Sequence, residues 1–297
     1  MRVHLLHPPD RLDLLRELLP GLSFTLGDEV PEVDVLVAGR PDDAQLDRAS
    51  RALVIPYAGL PKRTRGLLLE RPGLAAYNLH HNAGAVAEGA LALLLAAAKR
   101  VVPMDRALRE HDWRPRYTRD PSVPLAGRAA VILGYGAIGR RVGAMLAGLG
   151  MDVIGVQRGD DWPLEQADVL ICALPSTDET RGRLDAAALA RLPTHCTLVN
   201  VGRADLIDED ALYEALADGR LHGAGLDVWY RYPSAPDERA PPSKRPFHGL
   251  DNVVLSPHRT GHGPHVEEAR VRALAEVLGA LRDGREPGGL VDPERGY

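Results

Sequence analysis

Short apolar runs alternate with stretches of helical period along the first part of the chain. Arg2 to His7, Ser23 to Leu26, Val33 to Ala38, Ala52 to Tyr57 and Ala75 to Leu79 predict strands. Pro9 to Leu19, Asp42 to Ser50 and Lys62 to Glu70 predict helices between most of them. This alternation implies a parallel sheet with helices on its faces, so a first, small α/β unit is expected to end near His80. Gly84 to Arg100 is apolar nearly all round and predicts a helix buried on most sides, until Pro103 kinks or stops it. The sheet core and a second subunit are both candidates to cover it. Trp113 to Leu125, with several prolines and charges, predicts an extended connection.

The alternation then resumes. Ala129 to Leu133, Asp152 to Val156, Asp168 to Leu174, Thr197 to Val201, Gly223 to Val228 and Asn252 to Leu255 predict strands, with helices at Asp185 to Arg191 and Glu209 to Leu216. This is a second doubly wound sheet. The interval from Gln157 to Ala167 is the minimum for a crossover between parallel strands and contains Pro163, so one strand-helix unit usual in such sheets is expected to be missing. A last helix, Val266 to Leu281, should end at Gly284, ahead of a polar tail from Leu290 to Tyr297.

At the first strand of the second sheet the period changes from strand to helix across Gly134-Tyr135-Gly136-Ala137-Ile138-Gly139, followed by apolar Val142, Met145, Leu146 and Leu149 and closed by Gly150. A strand, a G-x-G-x-x-G turn and a helix in succession predict a dinucleotide site. Gly134 allows the tight turn, Gly136 lets the backbone approach a pyrophosphate, and Gly139 lets helix and strand pack closely, while the free N–H groups at Ala137 and Ile138 face the phosphates. The alternative is a glycine-rich loop without a ligand. In such folds an acid about twenty residues past the glycines accepts from the ribose 2′-hydroxyl and marks NAD. Here Gln157 and Arg158 stand there, which favours NADP(H), with NAD(H) as the alternative if Arg158 merely faces solvent.

Composition narrows the function. The 297 residues suffice for two ordinary domains, and the net charge of -5 leaves no basic stripe for nucleic acid and no cationic face for a membrane. The N-terminal apolar run breaks too early for a secretory segment, and the alanine-leucine run after Glu88 is too short to span a bilayer. The two cysteines, Cys172 and Cys196, lie in apolar runs and predict buried free thiols in a reducing, cytoplasmic setting.

Three further strand ends carry chemistry: Asn200-Val201-Gly202-Arg203, Gly225-Leu226-Asp227-Val228 and Ser256-Pro257-His258. Strand C-termini of an open parallel sheet line its ligand crevice, so an arginine, an aspartate and a histidine can converge there. His258, His262 and His265 could suggest a metal, but no cysteine joins them and Pro264 interrupts any common helix face, so none is expected. At His80-His81-Asn82 the expectations are helix capping by Asn82 and a substrate contact by either histidine.

Together with Val86-Ala87-Glu88, Trp113, Leu174-Pro175 and Glu179-Thr180-Arg181-Gly182, these motifs resemble the D-isomer-specific 2-hydroxyacid dehydrogenases over nearly the whole chain. The resemblance implies two doubly wound parallel-sheet domains with a cleft between them. Residues 1–80, completed by 262–297, would form a smaller flavodoxin-like substrate domain, and 81–261 a Rossmann-type cofactor domain. A homodimer built around the long helix after Val86 is implied as well. Arg203 would hold the substrate carboxylate and polarise the carbonyl, and His258 would be the general acid/base. Asp227 would lie near the nicotinamide end. Leu174, Pro175, Thr180, Val201 and Gly202 would belong to the cofactor site. The backbone at Tyr57, Ala58 and Gly59 resembles the family's carboxylate-binding loop. The chemistry agrees: hydride addition to a 2-keto acid develops charge on the carbonyl oxygen, which an arginine stabilises, and the alkoxide takes a proton from an imidazolium.

Two positions depart from the family pattern. An acid followed by proline, five residues after the aspartate, holds the family's catalytic histidine, and here Tyr232 and Pro233 stand there. The formate dehydrogenase branch also lacks that acid. Ala204 replaces the glycine after the arginine. An oxidoreductase acting on a small 2-hydroxy or 2-keto acid is therefore the leading expectation. A weakly active or inactive cofactor-sensing binding protein is the alternative that Tyr232 raises. A DNA-associated corepressor would want a peptide groove or basic surface, and neither is visible.

Overall fold

The computed structural model describes residues 1–118, 122–263 and 265–297. The chain separates into two compact units, one of Met1–Asn82 with His262–Tyr297 and the other of Ala83–Gly261. No helix among the described residues is long and apolar enough to cross a membrane.

The first unit opens with β1 (Arg2–Leu5), α1 (Leu12–Leu18), β2 (Ser23–Leu26), β3 (Val33–Val37), α2 (Asp43–Leu46), β4 (Ala49–Ile55), α3 (Lys62–Leu69) and β5 (Ala75–Asn78). Its five strands are all parallel, in the order β2-β1-β3-β4-β5. Most side chains of β1, β3, β4 and β5 are buried, as helix-covered parallel strands require, while the edge strand β2 is largely exposed. The expected helix from Asp42 to Ser50 is shorter. Asp42 and Gln45 form a reciprocal cap at its start, but Ala49 already pairs with Val33 and the Ser50 hydroxyl donates to the Val33 carbonyl, so strand pairing takes the last residues.

The second unit follows with α4 (Ala83–Ala98), α5 (Val101–Arg109), β6 (Ala129–Leu133), α6 (Ala137–Gly148), β7 (Asp152–Val156), β8 (Val169–Cys172), α7 (Ala186–Ala190), β9 (Thr197–Asn200), α8 (Glu209–Ala217), β10 (Gly223–Leu226) and β11 (Val253–Leu255). The six strands are parallel, in the order β11-β10-β9-β8-β6-β7. Helix α4 packs on this sheet through Val86, Ala87, Ala90, Leu93 and Leu94. Pro103 does not end it. The chain turns earlier, at Arg100 in a left-handed conformation, and Pro103 sits in the first turn of α5, where its missing N–H costs no intrahelical bond. The connection after Trp113 contains a 3-10 turn at Arg114–Tyr117 rather than being extended throughout, and residues 119–121 of it lie outside the described residues. Leu149, expected on the buried face of α6, is 37% exposed at the helix end. Between β7 and β8 there is only a 3-10 turn at Leu164–Gln166. Among the described residues no strand lies beyond β7, the position of the expected missing unit. Cys172 and Cys196 are buried free thiols whose burial pushes their pKa values up.

The chain returns to the first unit with α9 (Val266–Arg282), which packs Val271, Leu274 and Leu278 against the core shared by β1, β3 and α1. Gly284 follows in a left-handed conformation, and the tail bridges back to β5 at Tyr77 and Leu290. Pro264 lies outside the described residues. No group of three or more potential metal ligands occurs among the described residues.

Candidate active site

Because all six strands of the second unit are parallel, their C-terminal ends share one edge, and each expected site residue of this unit follows one of them. After β6, the glycine turn is tied down by Gly134 and Tyr135 N–H groups donating to the Val156 carbonyl at 3.2 and 3.1 Å. Gly134 has φ of 92°, and a side-chain carbon there would fall 2.7 Å from the Ala173 carbonyl oxygen. Gly139 is under similar pressure: a carbon added there would fall 2.2 Å from the Gly134 carbonyl oxygen. A carbon at Gly136, by contrast, would meet nothing within 4 Å. The turn is therefore pressed against its own sheet and open on the outer side. The twelve-residue helix α6 follows Gly136, which has no side chain to cap it, leaving the first N–H groups, including those of Ala137 and Ile138, for an outside acceptor. A pyrophosphate fits this cradle in charge and in space. Gly134→Ala is expected to destabilise the fold by roughly 1–3 kcal/mol, which urea denaturation of the two proteins would measure.

After β7, the Gln157 N–H donates to Asp160 at 2.8 Å, and the Arg158 guanidinium donates to Glu179. After β8, Leu174 presses against Gly202, where an added carbon would fall 2.6 Å from the Leu174 carbonyl oxygen. Thr180 closes this loop, donating its hydroxyl to the Pro175 carbonyl at 2.7 Å and accepting from the Thr177 N–H at 2.9 Å.

After β9, the buried Asn200 fixes the next turn. Its side-chain oxygen accepts from the Gly202 N–H at 3.1 Å and its amide donates to the Arg203 carbonyl at 3.0 Å. Val201 and Gly202 are thereby held buried, while the Arg203 side chain is exposed and donates to the Gly202 carbonyl at 2.7 Å. After β10 stands Asp227, 2% exposed. Its carboxylate accepts from the Ser256 hydroxyl, from the Arg259 N–H at 2.8 Å and from the Thr260 hydroxyl at 2.5 Å. Thr260 in turn lies against Gly89 of α4, where an added carbon would fall 2.4 Å from it. Asp227 thus clamps both ends of the loop that carries His258.

His258, after β11, has a left-handed backbone with φ of 55°, an uncommon conformation for histidine that the clamp maintains. The Tyr232 hydroxyl lies 2.9 Å from its Nδ1 and accepts from the Trp229 N–H at 3.2 Å. Burial lifts the Tyr232 phenol above its ordinary pKa, against the opposing pull of the Trp229 N–H and Arg203. Tyr232 therefore meets the imidazole as a neutral phenol. A carboxylate can only accept and holds a proton on Nδ1, whereas a phenol can accept or donate, so either ring tautomer is compatible with this contact.

In the first unit, Tyr57, Ala58 and Gly59 follow β4, and Gly59 adopts φ of 91°. His81 is pushed toward its neutral form by burial, reinforced by Arg270.

Residues 91–260 fit the family model described as "D-isomer specific 2-hydroxyacid dehydrogenase, NAD binding domain". The chain belongs to that family. Family membership makes it a nicotinamide-dependent 2-hydroxyacid oxidoreductase by class. A glyoxylate reductase of Korarchaeum cryptofilum is 31% identical over 95% of this chain and 90% of its own length. A D-3-phosphoglycerate dehydrogenase of Mycobacterium leprae is also 31% identical over 85% of this chain, which spans only 49% of that longer protein. Among solved structures, a D-isomer specific 2-hydroxyacid dehydrogenase from Xanthobacter autotrophicus, in complex with NADPH and MES, superposes with a TM-score of 0.80 at 23% identity. That match covers 100% of this chain and 99% of the other, and it shows the fold.

Several pairings were not read from the sequence, although Asn200, Glu179 and Ser256 stand in the motifs quoted from it. Ser256 and Thr260 hold Asp227, Asn200 builds the arginine turn, and Glu179 occupies Arg158. Only Asn200 left a local signal, an Asn two residues before a turn glycine.

Proposed function

We propose that this protein reduces small 2-keto acids to 2-hydroxy acids, and runs the reverse oxidation, with NADP(H) preferred over NAD(H). The observation that carries the reading is His258 held by Tyr232 and by the Asp227 clamp on the same sheet edge as Arg203 and the uncapped glycine turn. A reduced nicotinamide, when bound, supplies the hydride. Gly134, Gly136, Ala137, Ile138 and Gly139 would hold its pyrophosphate, with Leu174, Pro175, Thr180, Val201 and Gly202 shaping the wall beyond. Arg203 binds the substrate carboxylate and draws charge toward the carbonyl oxygen. His258, with Nδ1 engaged by Tyr232, gives that oxygen the proton on Nε2. Asp227 serves by positioning His258, since its oxygens are taken up by the loop. The unit of Met1–Asn82 and His262–Tyr297 is the substrate unit, with the amides of Tyr57, Ala58 and Gly59 receiving the carboxylate. The unit of Ala83–Gly261 is the cofactor unit. The working form is a homodimer formed through α4, in a reducing cytoplasmic compartment where Cys172 and Cys196 stay thiols.

The NADP(H) preference rests on Gln157 and Arg158 in place of an acid. Glu179 competes for the guanidinium, which makes the preference moderate. Arg158→Ala is expected to weaken NADPH binding by about tenfold and NADH binding little. Fluorescence titration with both cofactors decides this, and an unmodified protein that prefers NADH would refute it. The activity itself is tested by following absorbance of NADPH and NADH with a panel of 2-keto acids. Consumption with at least one acid is expected, and a protein that binds cofactor but consumes none with any acid would be a sensor instead.

A further inference from the structure

The order β2-β1-β3-β4-β5 reverses direction between β1 and β3. In parallel α/β sheets the crevice beyond the strand C-termini at such a reversal is where ligands bind. A cavity of about 380 Å³ lies at that place, wholly within the first unit. His7 beyond β1, Arg40 beyond β3, Tyr57 beyond β4 and Arg270 of α9 wall it, and Val37 and Leu274 contribute an apolar floor. The Tyr57 ring lies over Gly39, where an added carbon would fall 2.3 Å from the phenol oxygen, so glycine at 39 is what lets the ring form a wall. Arg40 stands beside that phenol, whose pKa burial raises against the pull of the guanidinium. Arg270 is bonded to Glu267 at 2.5 Å, and among the described residues none lining the cavity is acidic.

We propose that this cavity receives the substrate side chain, and that the favoured substrates are 2-keto acids whose short carbon chain ends in a second carboxylate. This rests on the reading of Tyr57 to Gly59 as the loop that binds the first carboxylate. Tyr57 of that loop walls the cavity, so a substrate anchored at the loop can extend its carbon chain along Val37 and Leu274 toward Arg40. A two-carbon keto acid would leave most of the volume unused. The apolar floor suits methylene groups, and the arginine with its neighbouring phenol suits a terminal carboxylate.

The test compares acids of equal length, 2-oxopentanedioate and 2-oxopentanoate, by kcat/KM for reduction, and pentanedioate and pentanoate by calorimetric binding without turnover. The diacid is expected to be favoured by about tenfold or more in both measurements. Arg40→Ala should bring both ratios near one, and Arg40→Lys should restore part of the preference. Reduction of both keto acids with no diacid preference, or a preference unaltered in Arg40→Ala, would overturn the proposal while leaving the oxidoreductase reading intact. Arg40-dependent binding of pentanedioate with no reduction of any keto acid would support the cavity assignment and count against the oxidoreductase reading. Absence of both would defeat the two together.

Discussion

Replacing His258 by asparagine is expected to lower kcat/KM for 2-keto acid reduction by roughly a hundred- to ten-thousand-fold, the usual contribution of a positioned general acid. Asparagine is the informative choice because it tolerates the left-handed backbone at this position, so the loss reports the missing proton donor rather than a refolded loop. Arg203→Ala should cost about a hundredfold or more, since it removes the charge proposed to face the developing oxyanion, and should raise KM as well because the carboxylate would lose its proposed partner. Cofactor affinity should change little in either variant. The uncapped helix and the glycine turn that would hold the pyrophosphate are built by other residues. Steady-state kinetics with fluorescence titration of the cofactor separates these effects. Turnover near the original rate in either variant would show that the proton donor or the carboxylate partner lies elsewhere.

The second large effect is expected at Tyr232, as a displacement of the pH profile. Reduction needs the imidazole protonated. The neutral phenol at Nδ1 gives the imidazolium a hydrogen-bond partner but no opposite charge. In Tyr232→Glu a carboxylate beside the ring would stabilise the charged form, so the protonated ring would persist to higher pH. The falling limb of kcat/KM for reduction should move upward by about one pH unit or more, and the rising limb for 2-hydroxy acid oxidation should move the same way. Arg203 and Asp227 also act electrostatically on this position, and both remain in the variant. Tyr232→Phe, which removes the bond to Nδ1 without adding charge, should lower kcat/KM about tenfold with far less displacement. Superimposable profiles for the original protein and Tyr232→Glu would mean that residue 232 does not control the proton on His258, and would direct attention to His80 and His81.

Much of this organisation was legible in the chain because it depends on local spacing. The strand, glycine turn and helix from Ala129 onward are written in consecutive residues, and the close contacts at Gly134 and Gly139 are the ones that motif exists to allow. The strand-end residues Arg203, Asp227 and His258 were likewise readable, since a parallel sheet brings every C-terminal strand end to one edge. What the sequence could not display were pairings across that edge. Glu179 reaches Arg158 from 21 residues away, and Ser256 and Thr260 reach Asp227 from 29 and 33. No period or motif encodes such contacts, which arise only once the loops are set side by side. The same holds for the helix expected from Asp42 to Ser50. Its start carries a reciprocal cap that is visible as a motif, but its end is decided by pairing with Val33, a partner on another strand.

Movement of a hydride from the nicotinamide to C2 of a keto acid is read by isotope transfer. NADPH carrying deuterium at C4 on either face of the ring would be incubated in turn with the protein and a 2-keto acid, and the product examined by mass spectrometry and NMR. One of the two labelled cofactors is expected to yield a D-2-hydroxy acid with a single deuterium at C2, in proportion to the cofactor oxidised. Oxidation of both labelled cofactors without deuterium at C2, or a keto acid recovered unchanged with every cofactor and acid tried, would rule out hydride transfer to C2 by this protein.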